Sequence, residues 1–239
     1  MRLDKCLTDL GLGTRSQVKL LLKRGEIAVN GRTEKSAKFQ LDPEKTEISY
    51  QGQVYRYESF LYYLLNKPKG VVSATEDKVH KTVLELLDQQ ARHRQVFPVG
   101  RLDKDTHGLL LLTNDGQLAH QLLSPKKHVA KVYRALVSGI MTQADQEHFG
   151  SGIRLKDHHC LPARLSILAT DQAKQQSSVE IVIQEGKFHQ VKRMVQACGK
   201  EVLDLQRTQM GPLKLDPALA LGEYRRLTPH ELAQLKNTL

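Results

Sequence analysis

One loop and the apolar run that follows it constrain the fold of this chain most strongly. Residues 100–103 read Gly-Arg-Leu-Asp, residues 104–108 read Lys-Asp-Thr-His-Gly, and four leucines follow at 109–112. A short apolar run bounded by turn-forming residues is typical of a buried strand. We therefore predict a polar loop that enters a core strand and holds the Asp103 carboxylate at its mouth, where a chemically active carboxylate would sit.

The same loop partly matches a calcium-binding loop, but the match fails. Asp103, Asp105 and Gly108 occupy the first, third and sixth positions of the EF-hand pattern. The fifth position is His107, a poor calcium ligand, and the twelfth is Asn114, where the pattern needs a bidentate glutamate. We expect no calcium site, and an ordinary loop ion pair is the alternative interpretation of the carboxylate.

The charge of the chain favours a polyanionic partner. Its 239 residues include 36 Lys and Arg against 26 Asp and Glu, a net charge of +10. Such an excess is typical of proteins that bind nucleic acid, although a basic surface can also simply keep a protein soluble. Nucleic acid is therefore the first partner to consider.

Cysteine usage and hydropathy favour a cytoplasmic protein. Cys6, Cys160 and Cys198 are widely spaced and odd in number, which argues against a disulfide framework and for a reducing compartment. The His-His-Cys cluster at 158–160 lacks a second ligand pair, so we predict no metal site. We expect no signal peptide, because the N-terminus is polar, and no membrane span, because no run of about 18 apolar residues occurs.

Residues 1–58 are predicted to form a compact unit of two helices and a small hairpin sheet. Three leucines keep helical spacing before the glycines at 11 and 13, and Thr14 or Ser16 caps a second helix that ends at Gly25. Strands are expected at 27–29 and 47–50, with an Asn-Gly turn at 30–31.

Basic side chains are concentrated in this N-terminal unit. Residues 1–40 carry nine basic and four acidic side chains. A row of cations on one helix face can bind phosphates, although an ordinary solvated helix face is the alternative. The predicted RNA-binding residues are Arg2, Lys5, Arg15, Lys19, Lys23 and Arg24.

Residues 59–239 mix strands with capped helices in an order that favours the α+β class. We predict strands near 60–65, 130–137, 179–184, 201–207 and 223–227. Thr82, Asn114 and Thr228 are predicted N-caps of three helices, because each is followed three residues later by Glu or Gln. Short turns and this mixed order indicate a mixed, largely antiparallel central sheet flanked by helices.

A strand-like segment at 131–134 supplies an aromatic side chain beside cations. We expect one face of this strand to present Tyr133 flanked by Lys131 and Arg134. An aromatic ring with nearby cations can stack on a nucleobase, although a strand tyrosine can also simply pack in the core.

A helix-like segment at 188–198 supplies a further cation. Phe188, Val191 and Val195 are predicted to form its apolar stripe, with Lys192 at the edge of the stripe, where its ammonium needs an anion. Arg193 is expected to point away and to be free for phosphate or solvent. The alternating segment at 203–207 can form a wall of a pocket or simply core.

Two sets of motifs resemble known families. Arg-Leu-Asp-Lys at 2–5, Thr-Arg-Ser at 14–16 and Gly-Glu-Ile-Ala-Val-Asn-Gly at 25–31 resemble the S4 RNA-binding domain. The remaining motifs, which follow one another in order along the chain, resemble the RsuA branch of the pseudouridine synthases. These motifs lie at 65–71, 100–103, 113–116, 131–133, 188–194 and 205–207. The resemblance implies an S4-like domain at 1–58 and a catalytic domain at 59–239.

The resemblance also implies roles for individual side chains. Asp103 would be the catalytic aspartate, Tyr133 the aromatic that contacts the target base, and Lys192 the basic partner of the aspartate. Many related enzymes carry arginine where Lys192 stands, and lysine cannot offer the bidentate fork of arginine. Asp105 is expected to face elsewhere, because it lies two residues along an extended loop. The implied substrate-binding residues are Arg101, Leu102, Leu205, Arg193 and Arg207.

The implied activity is the isomerisation of a uridine in 16S ribosomal RNA to pseudouridine, without a cofactor or metal. The expected partner is ribosomal RNA, as 16S rRNA or a small-subunit assembly intermediate, and the protein is expected to be a monomer. Two alternatives stay open at this point. One is a uridine of 23S ribosomal RNA, and the other is a non-catalytic S4-type assembly factor, which would not require Asp103 and Lys192.

Overall fold

The structure, a computed structural model, describes residues 1–238, and the chain divides into two compact units. The first unit comprises Met1–Leu61 together with Leu87–Val96, and the second comprises Tyr62–Leu86 together with the residues from Phe97 onward. The domain boundary between residues 58 and 59 stays a prediction. Among the described residues, no helix is long and apolar enough to cross a membrane.

The first unit contains three helices and a four-stranded antiparallel sheet. The helices are α1 (Leu3–Asp9), α2 (Arg15–Arg24) and α3 (Gln89–His93), and the strands are β1 (Ile27–Val29), β2 (Arg32–Thr33), β3 (Glu47–Tyr50) and β4 (Gln53–Arg56). The strand order is β2-β1-β3-β4. Thr14 caps α2 by accepting a hydrogen bond from the Gln17 amide, and Gly25 ends the helix at a φ of 73°.

The second unit is built on a nine-stranded sheet. Its strands are β5 (Tyr62–Lys67), β6 (Phe97–Pro98), β7 (His107–Thr113), β8 (Lys131–Ser138), β9 (Arg164–Asp171), β10 (Gln176–Ile183), β11 (Glu201–Met210), β12 (Leu213–Lys214) and β13 (Tyr224–Arg226). The order is β13-β5-β7-β11-β8-β10-β9, with β6 paired to β7 and β12 to β11. Only the pair of β7 and β11 is parallel, so the predicted mixed, largely antiparallel sheet is confirmed.

Four α-helices accompany this sheet: α4 (Gly116–Leu123), α5 (Gln143–Ser151), α6 (Gln190–Ala197) and α7 (Pro229–Asn237). The predicted capping box at Thr228 is confirmed. The cap of α4 is Asp115 rather than Asn114, because the Asp115 carboxylate accepts the Leu118 amide at 3.0 Å. The helix predicted after Thr82 is wrong, since only a 3-10 turn forms over Val83–Leu86. Neither α5 nor β9 was predicted.

Strand β7 fixes where the predicted loop leaves the core. Its four leucines, 109–112, are fully buried, as their apolar run predicts. Gly108 pairs with Arg207 in the parallel register of β7 and β11, and any Cβ at position 108 would collide with the Arg207 backbone. Gly108 therefore lets β7 lie close against β11, which brings the loop at 100–106 beside β8, β11 and the start of α6.

Candidate active site

A cavity of about 440 Å³ lies in the second unit where these elements meet. It is lined by the loop at 100–106, by β8, by the loop and first turn of α6, and by β11. The three predicted catalytic residues, Asp103, Tyr133 and Lys192, all line it. Four predicted substrate-binding residues also do: Arg101, Leu102, Leu205 and Arg207.

Two buried polar side chains form hydrogen bonds with the backbone of the loop that carries Asp103. Lys67, which is fully buried, donates hydrogen bonds to the carbonyl oxygens of Asp103 at 3.0 Å and Thr106 at 2.9 Å. Ser73 Oγ donates to the Leu102 carbonyl at 2.9 Å and accepts the Leu102 amide at 3.0 Å. A lysine in an Asn-Lys-Pro-Lys-Gly turn is ordinarily exposed, so the sequence did not indicate that Lys67 is buried and binds the backbone of the Asp103 loop.

Burial and nearby charge act on Lys67 in opposite directions. Desolvation lowers the pKa of Lys67 to about 8, while the charges of Asp103 and Asp105 raise it. The three carbonyl acceptors, of which the third is Pro68 at 3.1 Å, match the three donors of an ammonium group. Lys67 therefore acts as a clamp on the segment that carries Asp103.

Two carboxylates share one ammonium at the mouth of the cavity. Lys192 Nζ lies 3.3 Å from Asp103 Oδ2 and 2.5 Å from Asp105 Oδ1. The Asp103 side chain is 27% exposed and that of Lys192 is 23% exposed, so both are accessible from the cavity. The hydrogen bond from Lys192 lowers the pKa of Asp105, which keeps that carboxyl ionised.

The expectation that Asp105 faces elsewhere is wrong. It assumed an extended loop, but the Thr106 amide donates to the Asp103 carbonyl at 3.1 Å, so the loop turns here. The turn brings the carboxylates of Asp103 and Asp105 to the same side. The calcium pattern also fails in the structure, because both of these carboxylates face the Lys192 ammonium.

Tyr133 lies on the cavity side of β8, together with Lys131. Alternation along the strand puts Lys131 and Tyr133 on one face, both buried, while Arg134 is exposed on the other face. The expectation that Arg134 flanks the ring on the same face is therefore wrong. Burial, followed by the charge of Arg207, lowers the pKa of Lys131 to about 8.

The α6 segment differs from the predicted apolar stripe at its start. Val191 and Val195 are buried as predicted, but Phe188 is 71% exposed because the helix begins only at Gln190. The Phe188 ring stacks on that of His189, with centroids 3.8 Å apart, and His189 Nε2 lies 3.6 Å from Asp103 Oδ1. The stacked pair thus borders the Asp103 carboxylate.

The predicted substrate-binding arginines on β11 and α6 both bind other groups of the protein. Arg207 is buried on β11, and its Nε donates to the Leu109 carbonyl at 2.8 Å. Arg193 pairs with the Asp157 carboxylate and does not line the cavity. The expectation that Arg193 is free for phosphate or solvent is therefore wrong. Sequence patterns did not indicate this ion pair, because Asp157 is distant from α6 in sequence.

The predicted RNA-binding residues of the first unit fall into two groups. Arg15, Lys19 and Lys23 are exposed along α2 at a spacing of four residues, which places them on one helix face, with Arg24 exposed beside them. Arg2 and Lys5, in contrast, form ion pairs of 2.7 Å with Asp4 and Asp9 respectively. The exposed cationic row is therefore on α2.

Within residues 1–238, one group of three side chains could hold a metal ion. Ligand atoms of His158, Cys160 and Glu185 all lie within 4.8 Å of one another. Glu185 Oε1 already accepts hydrogen bonds from the Leu161 amide at 2.9 Å and from Gln190 Nε2 at 2.7 Å. The position of Glu185 is thus accounted for by hydrogen bonds that anchor the loop before α6.

Comparison with known proteins identifies the family. Residues 61–197 match the family described as RNA pseudouridylate synthase, and residues 1–46 match the S4 domain. The chain belongs to the RNA pseudouridylate synthase family and is therefore an isomerase with an S4 domain. The predicted resemblance to pseudouridine synthases and to the S4 domain is confirmed.

Several relatives match over nearly their whole length. The chain is 45% identical to the uncharacterized RNA pseudouridine synthase YtzG of Bacillus subtilis, covering 97% of each chain. It is 39% identical to ribosomal small subunit pseudouridine synthase A of Vibrio cholerae, over 98% of this chain and 99% of that one. It is 38% identical to ribosomal large subunit pseudouridine synthase B of Bacillus subtilis, over 98% of this chain and 95% of that one. A crystal structure of a pseudouridylate synthase matches with a TM-score of 0.68 and 34% identity, over 98% of this chain and 99% of that one.

Proposed function

We propose that this protein isomerises a specific uridine of 16S ribosomal RNA to pseudouridine, with Asp103 as the catalytic group. The observation that carries the proposal is the Asp103 carboxylate, which lines a cavity together with Tyr133 and has the Lys192 ammonium 3.3 Å away. The choice of 16S ribosomal RNA is supported by the near full-length similarity to small-subunit enzymes.

The target nucleotide must leave its base stack before the reaction. Extruding it costs a few kcal/mol. Stacking of the uracil on Tyr133, whose ring lines the cavity, would return about 1 to 3 kcal/mol, which roughly offsets that cost. Selection of one uridine among many then depends on contacts outside the cavity. The exposed row of cations on α2 is suited to bind RNA phosphates, which adds affinity but does not read the base sequence.

The reaction breaks the bond from N1 of uracil to C1′ of ribose, turns the base, and joins C5 to C1′. The C5 proton leaves and N1 gains a proton, so no group is lost and no electron is exchanged. The Asp103 carboxylate would either attack C1′ or remove a proton from the sugar. Lys192 stabilises the negative charge of this carboxylate until the base has been released.

The second carboxylate does not turn this site into a glycosidase. Two-carboxylate glycosidases need one protonated acid to assist the leaving group. Asp105 is ionised at neutral pH, because the hydrogen bond from Lys192 lowers its pKa. Asp105 therefore does not supply the protonated acid that a two-carboxylate glycosidase needs.

A uridine of 23S ribosomal RNA is the second candidate substrate. It is supported by the 38% identity to the large-subunit enzyme, which nearly equals the 39% identity to the small-subunit enzyme. The cavity offers no discrimination, since both substrates would present the same flipped uridine. A monomer, action in the cytoplasm and use of an assembly intermediate stay predictions.

Mapping pseudouridines in the ribosomal RNA of cells with and without this protein tests the proposal. The expected result is the loss of a single pseudouridine of 16S ribosomal RNA. Loss of a 23S position alone would refute the 16S assignment in favour of the second candidate. An unchanged map in both RNAs would refute both.

A further inference from the structure

We propose that Phe188 and His189 form a stacking platform for the nucleobase that adjoins the target uridine in the RNA chain. The proposal rests on the proposed function, because it needs a uridine in the neighbouring cavity. Both side chains line the mouth of that cavity, and His189 Nε2 lies 3.6 Å from the Asp103 carboxylate. A base held on this platform would be the next one along the strand.

The exposure of Phe188 is the first observation that points to a ligand. It leaves 71% of a large aromatic side chain in water, more than any other large apolar side chain among the described residues of the second unit except Val79. Single exposed apolar residues are common on protein surfaces. Among the exposed large apolar side chains of the described residues, Phe188 and Leu123 line the cavity that holds the candidate catalytic aspartate, and of these two Phe188 is the more exposed and the one with an aromatic ring.

The geometry of the two rings is the second observation. The rings of Phe188 and His189 are nearly parallel, with an interplanar angle of 17° and centroids 3.8 Å apart. One face of the phenyl ring is therefore covered by imidazole, and the exposed part of the side chain is free to receive another planar group. Nucleobases stack on aromatic rings in this way, and stacking does not depend on base identity.

The loop that carries the platform is fixed before any ligand binds. The buried Gln190 side chain accepts the Lys187 amide at 2.9 Å and donates to Glu185 at 2.7 Å. Arg193 donates to the Phe188 carbonyl at 3.4 Å. His189 has a φ of 47°, a left-handed conformation that such surrounding contacts must hold. A platform ordered in advance loses little conformational entropy when a base stacks on it.

Cations beside the platform suit an RNA strand. Arg101 and Lys187 are exposed and line the same cavity as Phe188. Proteins that bind single-stranded nucleic acid commonly combine stacked aromatic rings with cations that follow the phosphates. The flipped uridine and its neighbour would thus place their linking phosphate near these two side chains.

Three variants of Phe188 separate stacking from simple apolar contact. Phe188→Ala removes the side chain, Phe188→Leu keeps apolar area without a π face, and Phe188→Trp keeps a planar ring. Leu168→Ala is the matched control, because Leu168 is 51% exposed on β9 and does not line the cavity. Thermal unfolding of each variant checks that the fold is unchanged, as expected for an exposed position.

Steady-state pseudouridine formation on unmodified 16S and 23S transcripts is the first measurement. KM is expected to rise about tenfold for Phe188→Ala and Phe188→Leu, since stacking binds ground and transition states alike, while kcat stays within about threefold. Phe188→Trp and Leu168→Ala are expected to match the wild type. A Phe188→Leu variant with the KM of the wild type would overturn the proposal.

A binding probe separates failure of the platform from failure of the proposed function. The probe is a short single-stranded RNA with one uridine and 2-aminopurine on its 5′ or its 3′ side. The wild type is expected to quench the fluorescence at one of these positions, and Phe188→Leu is expected to quench much less. Equal quenching by both proteins at both positions would overturn the platform, whereas a wild type that binds the probe but forms no pseudouridine on either transcript would refute only the proposed activity.

Discussion

Replacing Lys67 by methionine tests whether this buried lysine holds the loop that carries Asp103 in place. The substitution keeps much of the apolar stem but removes the ammonium, which donates to the carbonyl oxygens of Pro68, Asp103 and Thr106 at 2.9 to 3.1 Å. The three carbonyl groups would then lie in a buried place without their donor. Both the free energy of unfolding and the position of Asp103 should change.

The magnitude follows from two opposing effects. Hydrogen bonds to a charged group contribute about 1.5 to 3 kcal/mol each, so three contribute roughly 4 to 9 kcal/mol. Burial lowers the pKa of Lys67 from 10.5 to about 8, which corresponds to a desolvation cost of about 3 kcal/mol that methionine avoids. The net loss of unfolding free energy is therefore about 1 to 6 kcal/mol, and a shift of the Asp103 loop by about 1 Å would lower kcat about 100-fold.

Urea unfolding followed by circular dichroism measures the first effect, and pseudouridine formation measures the second. Lys69→Met is the matched control, because Lys69 lies in the same turn but is 49% exposed and pairs with the partly exposed Asp204. Its unfolding free energy should change by less than about 1 kcal/mol. If Lys67→Met were as stable and as active as Lys69→Met, the clamp on the Asp103 loop would be refuted.

Substitutions at three other positions probe the cavity. Tyr133→Phe should keep most activity, whereas Tyr133→Ala should lower kcat/KM about tenfold or more through lost stacking, and equal rates for these proteins would remove the role of Tyr133. Asp105→Asn removes the second carboxylate, so that Lys192 pairs with Asp103 alone. It should lower kcat less than about tenfold, since charge pairing at a partly exposed site is weak. Complete inactivity of Asp105→Asn would move the catalytic assignment to Asp105. The pKa of Lys131 is about 8 in the folded protein, below its value of 10.5 in the unfolded chain. Between about pH 8 and pH 10.5 the unfolded state therefore binds more protons at Lys131 than the folded state does, and the contribution of Lys131 to the unfolding free energy rises with pH. The unfolding free energy of Lys131→Met should therefore gain about 1 kcal/mol less than that of the wild type between pH 7 and pH 9, as measured by urea unfolding at both pH values, and identical gains would contradict the assigned pKa.

Local rules predict the parts of this fold that depend on neighbours in sequence. Of the two predicted N-caps Thr14 and Ser16, Thr14 starts α2, and the predicted N-cap Thr228 starts α7. The leucines of β7 are buried as their apolar run indicates. The predicted box at Thr82 is followed only by a 3-10 turn over Val83–Leu86, and the next α-helix, α3, has its own N-cap at Asp88. The strand at β9 alternates weakly in burial at the edge of the sheet, which leaves little periodic signal to find.

In the candidate site, too, some features were predicted from the sequence and others were not. The meeting of Asp103, Tyr133 and Lys192 follows from motifs that occur together in one family, and no periodicity within this chain indicates it. The position of Asp105 depends on one turn hydrogen bond at Thr106, and that of Phe188 on the start of α6 at Gln190. A shift of one or two residues in the position of a turn or of a helix start moves a side chain to another face. The expectations for Asp105 and Phe188 were wrong for this reason.

The most direct test of the central claim compares the wild type with Asp103→Asn on ribosomal RNA transcripts. The two side chains have nearly the same shape, so the change removes one of the two anions beside Lys192, the one assigned to catalysis, and little else. The wild type should form pseudouridine, and Asp103→Asn should form none while it binds the transcript as well as the wild type does. Continued pseudouridine formation by Asp103→Asn would contradict the assignment of Asp103 as the catalytic carboxylate.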